Sequence, residues 1–294
     1  AALTQLSPSS RSYHSNQVQA DLIQAADRNQ LETISDLVSH FQTVHFAPQD
    51  VALVLQFSAQ RRRLLDIVLS QADAVYLKAL QTYQRLLTQR NHFLRSLGHR
   101  GVDPTEREVW DAQLAKPGAL LRHHRLLGLV EIMPDFARQY DVFSTGQETA
   151  GLLYADEVIE SNPDEIPTRD QLEATFRQQL RDGFEKERHA GHTLSGPHRD
   201  GFVFTIDGEA ADAFGSQGQQ KSVLLSWKMA ELRLLERRKG QQPLLLLDDV
   251  FSELDPIRSA HLIEMVEDFD QVILTAPRQP QESLGDRYAR IDLE

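Results

Sequence analysis

Residues 244–255 read Leu-Leu-Leu-Leu-Asp-Asp-Val-Phe-Ser-Glu-Leu-Asp, and this run constrains the fold more than any other stretch of the chain. Four consecutive apolar residues predict a strand buried on both faces, as strands of parallel sheets in α/β proteins are. Such sheets bind ligands at the carboxyl ends of their strands, and here that end carries Asp248 and Asp249. Two readings of the pair stand at this point. In one, they are solvated acids closing a core strand. In the other, they serve a nucleotide-hydrolysing site, where Asp248 holds Mg²⁺ directly or through water and Asp249 orients or deprotonates the attacking water. Ser252, Glu253, Leu254 and Asp255 then make a short polar turn before a helix begun by Pro256, a residue suited to the first helical position.

A second segment bears on the choice. Phe214-Gly215-Ser216-Gln217-Gly218-Gln219-Gln220-Lys221-Ser222 precedes a helical pattern through Leu224, Leu225, Met229, Leu232 and Leu235. Glycines allow close backbone approach to a phosphate, Ser216 offers a hydroxyl, and the helix that follows points its positive end at an anion. Taken alone, the segment is an ordinary helix cap. The order is more telling: Gly-Ser-Gln-Gly loop, helix of roughly twenty residues, apolar strand, Asp-Asp, polar turn, helix, and a second strand from Gln271 to Thr275.

This string resembles the C-terminal half of the RecF recombination mediators, ABC-type ATPases related to the SMC proteins. The resemblance extends upstream through Thr193-Leu-Ser-Gly-Pro-His-Arg-Asp200, Phe46-Ala-Pro-Gln-Asp50, Arg61-Arg-Arg-Leu-Leu-Asp66, Gln89-Arg-Asn91 and Trp110-Asp-x-Gln-Leu114. It covers nearly the whole chain from about residue 34. It implies an α/β fold, an ABC-type ATPase head with an inserted helical lobe. The expected parts are residues 1–55 as an incomplete N-terminal part of the ATPase lobe, 56–182 as the helical, coiled-coil-like hairpin lobe, and 183–294 as the C-terminal ATPase part.

The resemblance also implies roles. Asp248 becomes the Mg²⁺-associated acid of the Walker B strand and Asp249 the acid that polarises water, the catalytic residue. Ser216, Gln217 and Gly218 belong to the signature loop that contacts ATP held by the opposite subunit, and Asp255 closes the D-loop at the dimer interface. Thr275 lies where many ABC proteins carry a switch histidine; here the chain continues Ala-Pro-Arg, so no such switch is supported. The implied function is that of an ATP-dependent dimeric clamp on single-stranded DNA or single/double-strand junctions. It would assist recombinase loading at gaps and SOS induction, with RecO and RecR as partners and the cytoplasm as location. Slow DNA-dependent ATP hydrolysis would time dissociation.

One departure weighs against a self-sufficient ATPase. The family opens with a Gly-rich P-loop, and Gly-x-x-x-x-Gly-Lys-Ser/Thr occurs nowhere in this chain. Ala1-Ala2-Leu3-Thr4 resembles the end of the helix that should follow that loop, and a further segment is expected near Ala26-Asp27. Without a P-loop a triphosphate loses its cradle of backbone N–H groups and the lysine charge. The 294 residues alone are therefore expected to bind ATP poorly, lending at most Ser216 to a nucleotide on another subunit. Two other functions stay open: a non-enzymatic interaction protein that retains the fold, and another SMC-like ABC ATPase. The short heptad run disfavours the latter.

Composition narrows the classes. With no cysteine there is neither a disulfide nor a thiolate metal site. No run of 18 apolar residues predicts a membrane-spanning helix, and no signal peptide is read at Ala1. No Gly-x-Ser-x-Gly elbow supports a hydrolase, and His189, His192 and His198 lack the further ligands that zinc needs. The net charge of −12 repels nucleic acid at long range, so any DNA site must be a local basic patch. The candidates are Arg61, Arg62 and Arg63; Arg85, Arg90, Arg95 and Arg100; and Arg122 with Arg125, flanking His123 and His124. Each reads equally as a solvated helix face.

Between residues 69 and 97 a heptad places Leu69, Tyr76, Tyr83, Arg90 and Leu97 at one core position, and Ala72, Ala79, Leu86 and Phe93 at the other. Arg90 interrupts that seam and calls for a specific partner. A single helix from about Gln60 to Leu97 would span about 55 Å at ~1.5 Å per residue. Gly98 and Gly101 to Pro104 predict a turn, and the pattern of Leu114, Leu121, Leu127, Val130 and Phe136 a returning helix. A charged helix follows, to about Arg188.

Overall fold

The computed structural model describes residues 41–97, 102–155, 157–158, 166–254 and 256–275. Strand β1 (Thr43–Phe46) leads through helices α1 (Pro48–Gln56), α2 (Ser58–Ala72) and α3 (Ala74–Leu97) to the long helix α4 (Pro104–Ser144). Strands β2 (Ala150–Tyr154) and β3 (Glu157–Val158), helix α5 (Arg169–Ala190), strands β4 (Phe202–Ile206) and β5 (Glu209–Ala210) and the short helix α6 (Ala211–Phe214) follow. Helix α7 (Gln217–Lys239), strand β6 (Leu244–Asp248), a 3₁₀ turn at Val250–Glu253, helix α8 (Pro256–Val266) and strand β7 (Val272–Thr275) complete the described chain.

Two sheets result. The first is parallel, in the order β1-β6-β7, with Phe46 opposite Leu247 and Asp248 opposite Thr275. The second is antiparallel, in the order β3-β2-β4-β5. Because β2 lies in the range expected to be all helical and β4 in the range beyond residue 183, the second sheet joins the two. The apolar run at 244–247 is covered less evenly than expected. Leu245 and Leu247 are buried with Val44 and Phe46 in the main core, whereas Leu244 and Leu246 are half-buried and neighbouring Ile273 is 55% exposed. Among the described residues, helices pack one face of this sheet, and β6 alternates between buried and half-buried positions.

Helix α7 is apolar around most of its circumference, with every residue from Ser222 to Leu232 buried, the pattern of a helix enclosed by core. Trp227 wedges it against β4 and α4, with its ring 5.3 Å from that of Phe202, 5.4 Å from Phe204 and 6.1 Å from Phe136. Helix α4 touches α3, α5 and α7 in turn. Its 41 residues pass through Pro117 and Pro134 without ending. At Gly118 an added Cβ would stand 2.5 Å from the Phe176 ring, and at Gly128 2.5 Å from Leu69, so both glycines set how closely α5 and α2 approach.

The heptad seam is buried as its spacing suggests: Leu69, Tyr76, Tyr83, Arg90 and Leu97 are each at most 8% exposed. The single helix expected across it is corrected to two. Asp73 separates them, its backbone N–H donating to the Leu69 carbonyl at 2.9 Å and its carboxylate accepting from the Val75 N–H at 2.8 Å. Aspartate so offers the backbone a local alternative to helix without glycine or proline. Among the described residues, no helix is long and apolar enough to cross a membrane.

Arg90 finds partners on both flanking helices. Its guanidinium reaches Asp111 of α4 at 2.8 Å, Glu187 of α5 at 2.7 Å and the Thr193 hydroxyl at 2.8 Å. Removing one member of a buried ionic group leaves uncompensated charge, at a cost of about 3–5 kcal/mol. Arg90→Met is expected to lose about that much in urea unfolding. The triple change Arg90→Met, Asp111→Leu, Glu187→Leu should recover most of it. Equal stability of Arg90→Met and wild type would refute this account of the lobe.

Candidate nucleotide site and the arginine network

The two acids emerge at the carboxyl end of β6, next to the end of β7. Asp248 is exposed, and the Thr275 hydroxyl donates to its Oδ1. Asp249 takes the left-handed conformation (φ 48°, ψ 31°), a region that aspartate tolerates better than most residues. Its N–H donates to the Thr275 carbonyl at 3.1 Å and the Thr275 hydroxyl at 3.2 Å. Thr275 thus braces both acids. The donors available here are hard oxygens. No cluster of three or more metal-binding side chains occurs among the described residues, but Mg²⁺ at phosphoryl-transfer sites takes only one or two carboxylates and completes its shell with waters and substrate phosphates. Asp248 with the Thr275 hydroxyl fits that pattern.

The glycine-serine segment is a capped helix start. Ser216 is the N-cap of α7: its hydroxyl accepts from the Gln219 N–H at 3.3 Å, and the Gln219 side chain accepts from the Ser216 N–H at 2.7 Å, a reciprocal capping box. Ser216 and Gln217 are exposed and Gly218 half-buried. Gln219 also donates to Glu148 at 2.7 Å, and Gln220 to the carbonyls of Ala211 and Gly215 at 3.1 Å. At Gly215 a Cβ would meet the Ala211 carbonyl oxygen at 2.6 Å, which explains the glycine. From α8, Arg258 donates to Ser222 at 2.8 Å and lies against Gly218, tying the helix after the acidic strand to the capped start of α7. Asp255 lies outside the described residues. Sequence reasoning missed Glu148, Gln219 and Arg258. Of these only Gln219, three residues after the cap, left a sequence signature.

Three of the arginines read as DNA contacts are corrected by their surroundings. Arg61 is 6% exposed and donates to the carbonyls of Leu55 and Phe202, and to Asp212 at 3.3 Å. It caps the end of α1. Arg122 grips Asp200 with two bonds, at 2.8 and 2.6 Å, and lies over the Phe176 ring. Arg125, 2% exposed, bonds Asp66 at 2.8 Å, Tyr154 at 3.3 Å and the Pro197 carbonyl at 2.6 Å. In an acidic chain these guanidinium groups are consumed by carboxylates. Arg90 belongs with them, whereas Arg85 and Arg95 are exposed. Arg62 is half-buried, donating to the Asp200 carbonyl at 3.1 Å. Arg63 is exposed and makes no ion pair among the described residues.

The same network explains the Gly-Pro-His-Arg-Asp block. Gly196 has φ +127° and sits where a Cβ would strike Phe176 and the Tyr83 hydroxyl. Asp200 is buried, which raises its pKa, but the Arg122 hydrogen bonds and charge outweigh burial and hold it below the usual carboxylate value. His198 has Nδ1 2.7 Å from the Tyr83 hydroxyl and Nε2 3.2 Å from the Thr193 carbonyl. Burial pushes its pKa down to about 4. Its folded value therefore lies below the unfolded value near 6.5, and the unfolded chain binds the extra proton between them. Stability is complete above that window and falls as pH drops from about 6.5 towards 4. His198→Gln should lose less stability than wild type between about pH 6.5 and 5. Parallel declines in thermal unfolding would show that this ring does not titrate as described.

No family model matches the chain. Individual proteins do. The chain is 40% identical over 248 residues to the DNA replication and repair protein RecF of Chloroflexus aurantiacus, covering 82% of this chain and 62% of that protein. It is 37% identical over 254 residues to the RecF of an Exiguobacterium species, covering 85% of this chain and 67% of the relative. The solved structure of the recombination mediator RecF with ATP, in the RecFOR pathway, superposes with a TM-score of 0.75 at 28% identity, covering 86% of this chain and 67% of that one. The chain thus spans about three fifths to two thirds of the length of these relatives. The α/β architecture with its helical lobe is that of an ABC-type ATPase head. On these matches the chain belongs to the RecF family of DNA replication and repair proteins.

Proposed function

We propose that this chain forms the signature-loop, Walker B and helical-lobe portion of an ATP-dependent DNA clamp, and that it works as a homodimer. The observation that carries the reading is the acid pair at the end of β6, braced by Thr275. Asp248 would hold Mg²⁺, and Asp249 would orient or accept a proton from the attacking water. Bound Mg²⁺ would neutralise charge on the transferring phosphate. Ser216, Gln217 and Gly218 would meet ATP carried by the other subunit, where the positive end of α7 favours the γ-phosphate. Asp255 would sit at the dimer interface.

In this reading the clamp embraces single-stranded DNA or single/double-strand junctions at gaps and helps recombinase to load, with RecO and RecR as partners, in the bacterial cytoplasm and within the SOS response. Among Arg61, Arg62, Arg63, Arg122 and Arg125, Arg63 is the exposed one and so the one placed to meet phosphate. The solved RecF structure with ATP and the RecF relatives support the reading.

Asp249→Asn, made in the protein that carries this chain together with a Walker A segment, is expected to lower ATP turnover at least about a hundredfold, as removal of a general base does. ATP-bound dimers should live correspondingly longer. Unchanged turnover and dimer lifetime would remove Asp249 from the mechanism. Thr275→Val is expected to slow turnover with ATP affinity intact, and Thr275→Ser to restore it. A Thr275→Val protein with wild-type turnover would leave the brace without a role in hydrolysis.

A further inference from the structure

The helical lobe contains a second basic site, built from arginines that belong to none of the clusters read from the sequence. Arg107, in the first turns of α4, faces Arg177 and Arg181 of α5 across a shallow cleft also lined by Glu108, Asp111 and Ala112. The Nε atoms of Arg107 and Arg177 are both buried and have no hydrogen-bond partner among the described residues. Buried donors are rarely left so, and an exception calls for an unseen acceptor. The acids nearby do not supply it. Asp111 gives its Oδ1 to Arg90 at 2.8 Å, and Glu173 accepts from the Nη2 of Arg177 at 2.8 Å rather than from its Nε. Glu108 is exposed and makes no ion pair among the described residues. Arg107 is steadied by the Phe184 ring, 5.3 Å from its guanidinium carbon.

We propose that this cleft is a phosphate site that receives one backbone phosphate of a nucleic acid strand. Planar guanidinium groups match phosphate oxygens in a fixed fork, and several of them converging on one point favour phosphate over a lone carboxylate. The cleft encloses about 10 Å³, so it accepts one oxygen while the rest of the phosphate stays in solvent. That suits a strand passing over the lobe and not a ligand that must be swallowed whole. The source of the phosphate rests on the DNA reading above; the orphaned donors do not.

The test uses the 294-residue chain and fluorescence anisotropy with a labelled single strand and a labelled duplex, from about 50 to 200 mM salt. The double variant Arg107→Gln, Arg177→Gln is expected to bind at least about tenfold more weakly, with a salt slope lower by about one. Glu108→Gln is expected to bind more tightly, a direction that loss of folding cannot produce. Wild-type affinity and slope in the double variant overturn the proposal, and so does a loss there without a gain in Glu108→Gln. Inorganic phosphate is the remaining arm: if it shifts the Arg107 and Arg177 Nε–H resonances and oligonucleotides do not, the nucleic-acid assignment of the cleft falls. A wild-type chain that ignores both oligonucleotides sinks the DNA reading itself, and the proposal with it.

Discussion

Two arginines of α4, Arg122 and Arg125, tie that helix to α2, β2 and the loop before β4 through half-buried Asp66 and buried Asp200. Arg125 reaches Asp66 on α2, Tyr154 on β2 and the Pro197 carbonyl, while Arg122 takes both oxygens of Asp200. Tyr154 closes the circuit by donating to Asp200 at 2.7 Å. Two guanidinium groups grip two carboxylates, with Arg62 close by on the Asp200 carbonyl, and the group is intolerant of losing any one member. Apolar packing alone would let α4 slide along its neighbours. Fixed forks against fixed acids do not, and specificity of this kind is what a buried ionic network is best placed to supply.

From that anchor the placement of the candidate site follows in steps. Asp200 precedes β4, whose Phe202 and Phe204 receive Trp227 of α7. Helix α7 is thereby fixed along its length, and its capped start, with Ser216 and Gly218, is held by Glu148 on one side and Arg258 on the other. Arg258 belongs to the helix that leaves the acidic strand, so the capped start of α7 and that helix are joined although they lie on different elements. The proposed dimer, in which each subunit's loop would meet the other's nucleotide, would require that kind of rigidity, because catalytic geometry tolerates little slack.

Much of this was legible in the sequence where side-chain pattern and backbone chemistry agree. The strand ending at Asp248, the helix opening after Ser216 and the seam containing Arg90 rest on apolar spacing and on caps, which act locally. The break at Asp73 was not legible, because it uses an aspartate side chain where glycine or proline is the usual signal. The passage of α4 through Pro117 and Pro134 was legible, because the apolar spacing from Leu114 to Phe136 runs across both prolines; neighbouring helices enclose the helix and outweigh the local cost. Strand β1 escaped notice because Thr43–Phe46 is short, and its identity depends on β6, about two hundred residues away.

The arginines show most clearly where local reading stops. Clusters such as Arg61-Arg62-Arg63 look identical in sequence whether they face phosphate or a buried acid. In a chain of 43 acidic and 31 basic residues, the acids outnumber the partners available to them. Arginines near a helix crossing are therefore captured by carboxylates, as Arg61, Arg90, Arg122 and Arg125 are. What marks an arginine as available to an outside anion is a donor left unused after the internal pairs have formed, and that depends on the acids which folding brings near it. Arg107 and Arg177 meet this condition at a place where neither forms a run with other basic residues. On the proposed DNA reading, nucleic-acid contact by a chain of net charge −12 would be a matter of a few unpaired guanidinium donors against a repelling background, and its strength would be set by local geometry and salt rather than by overall charge.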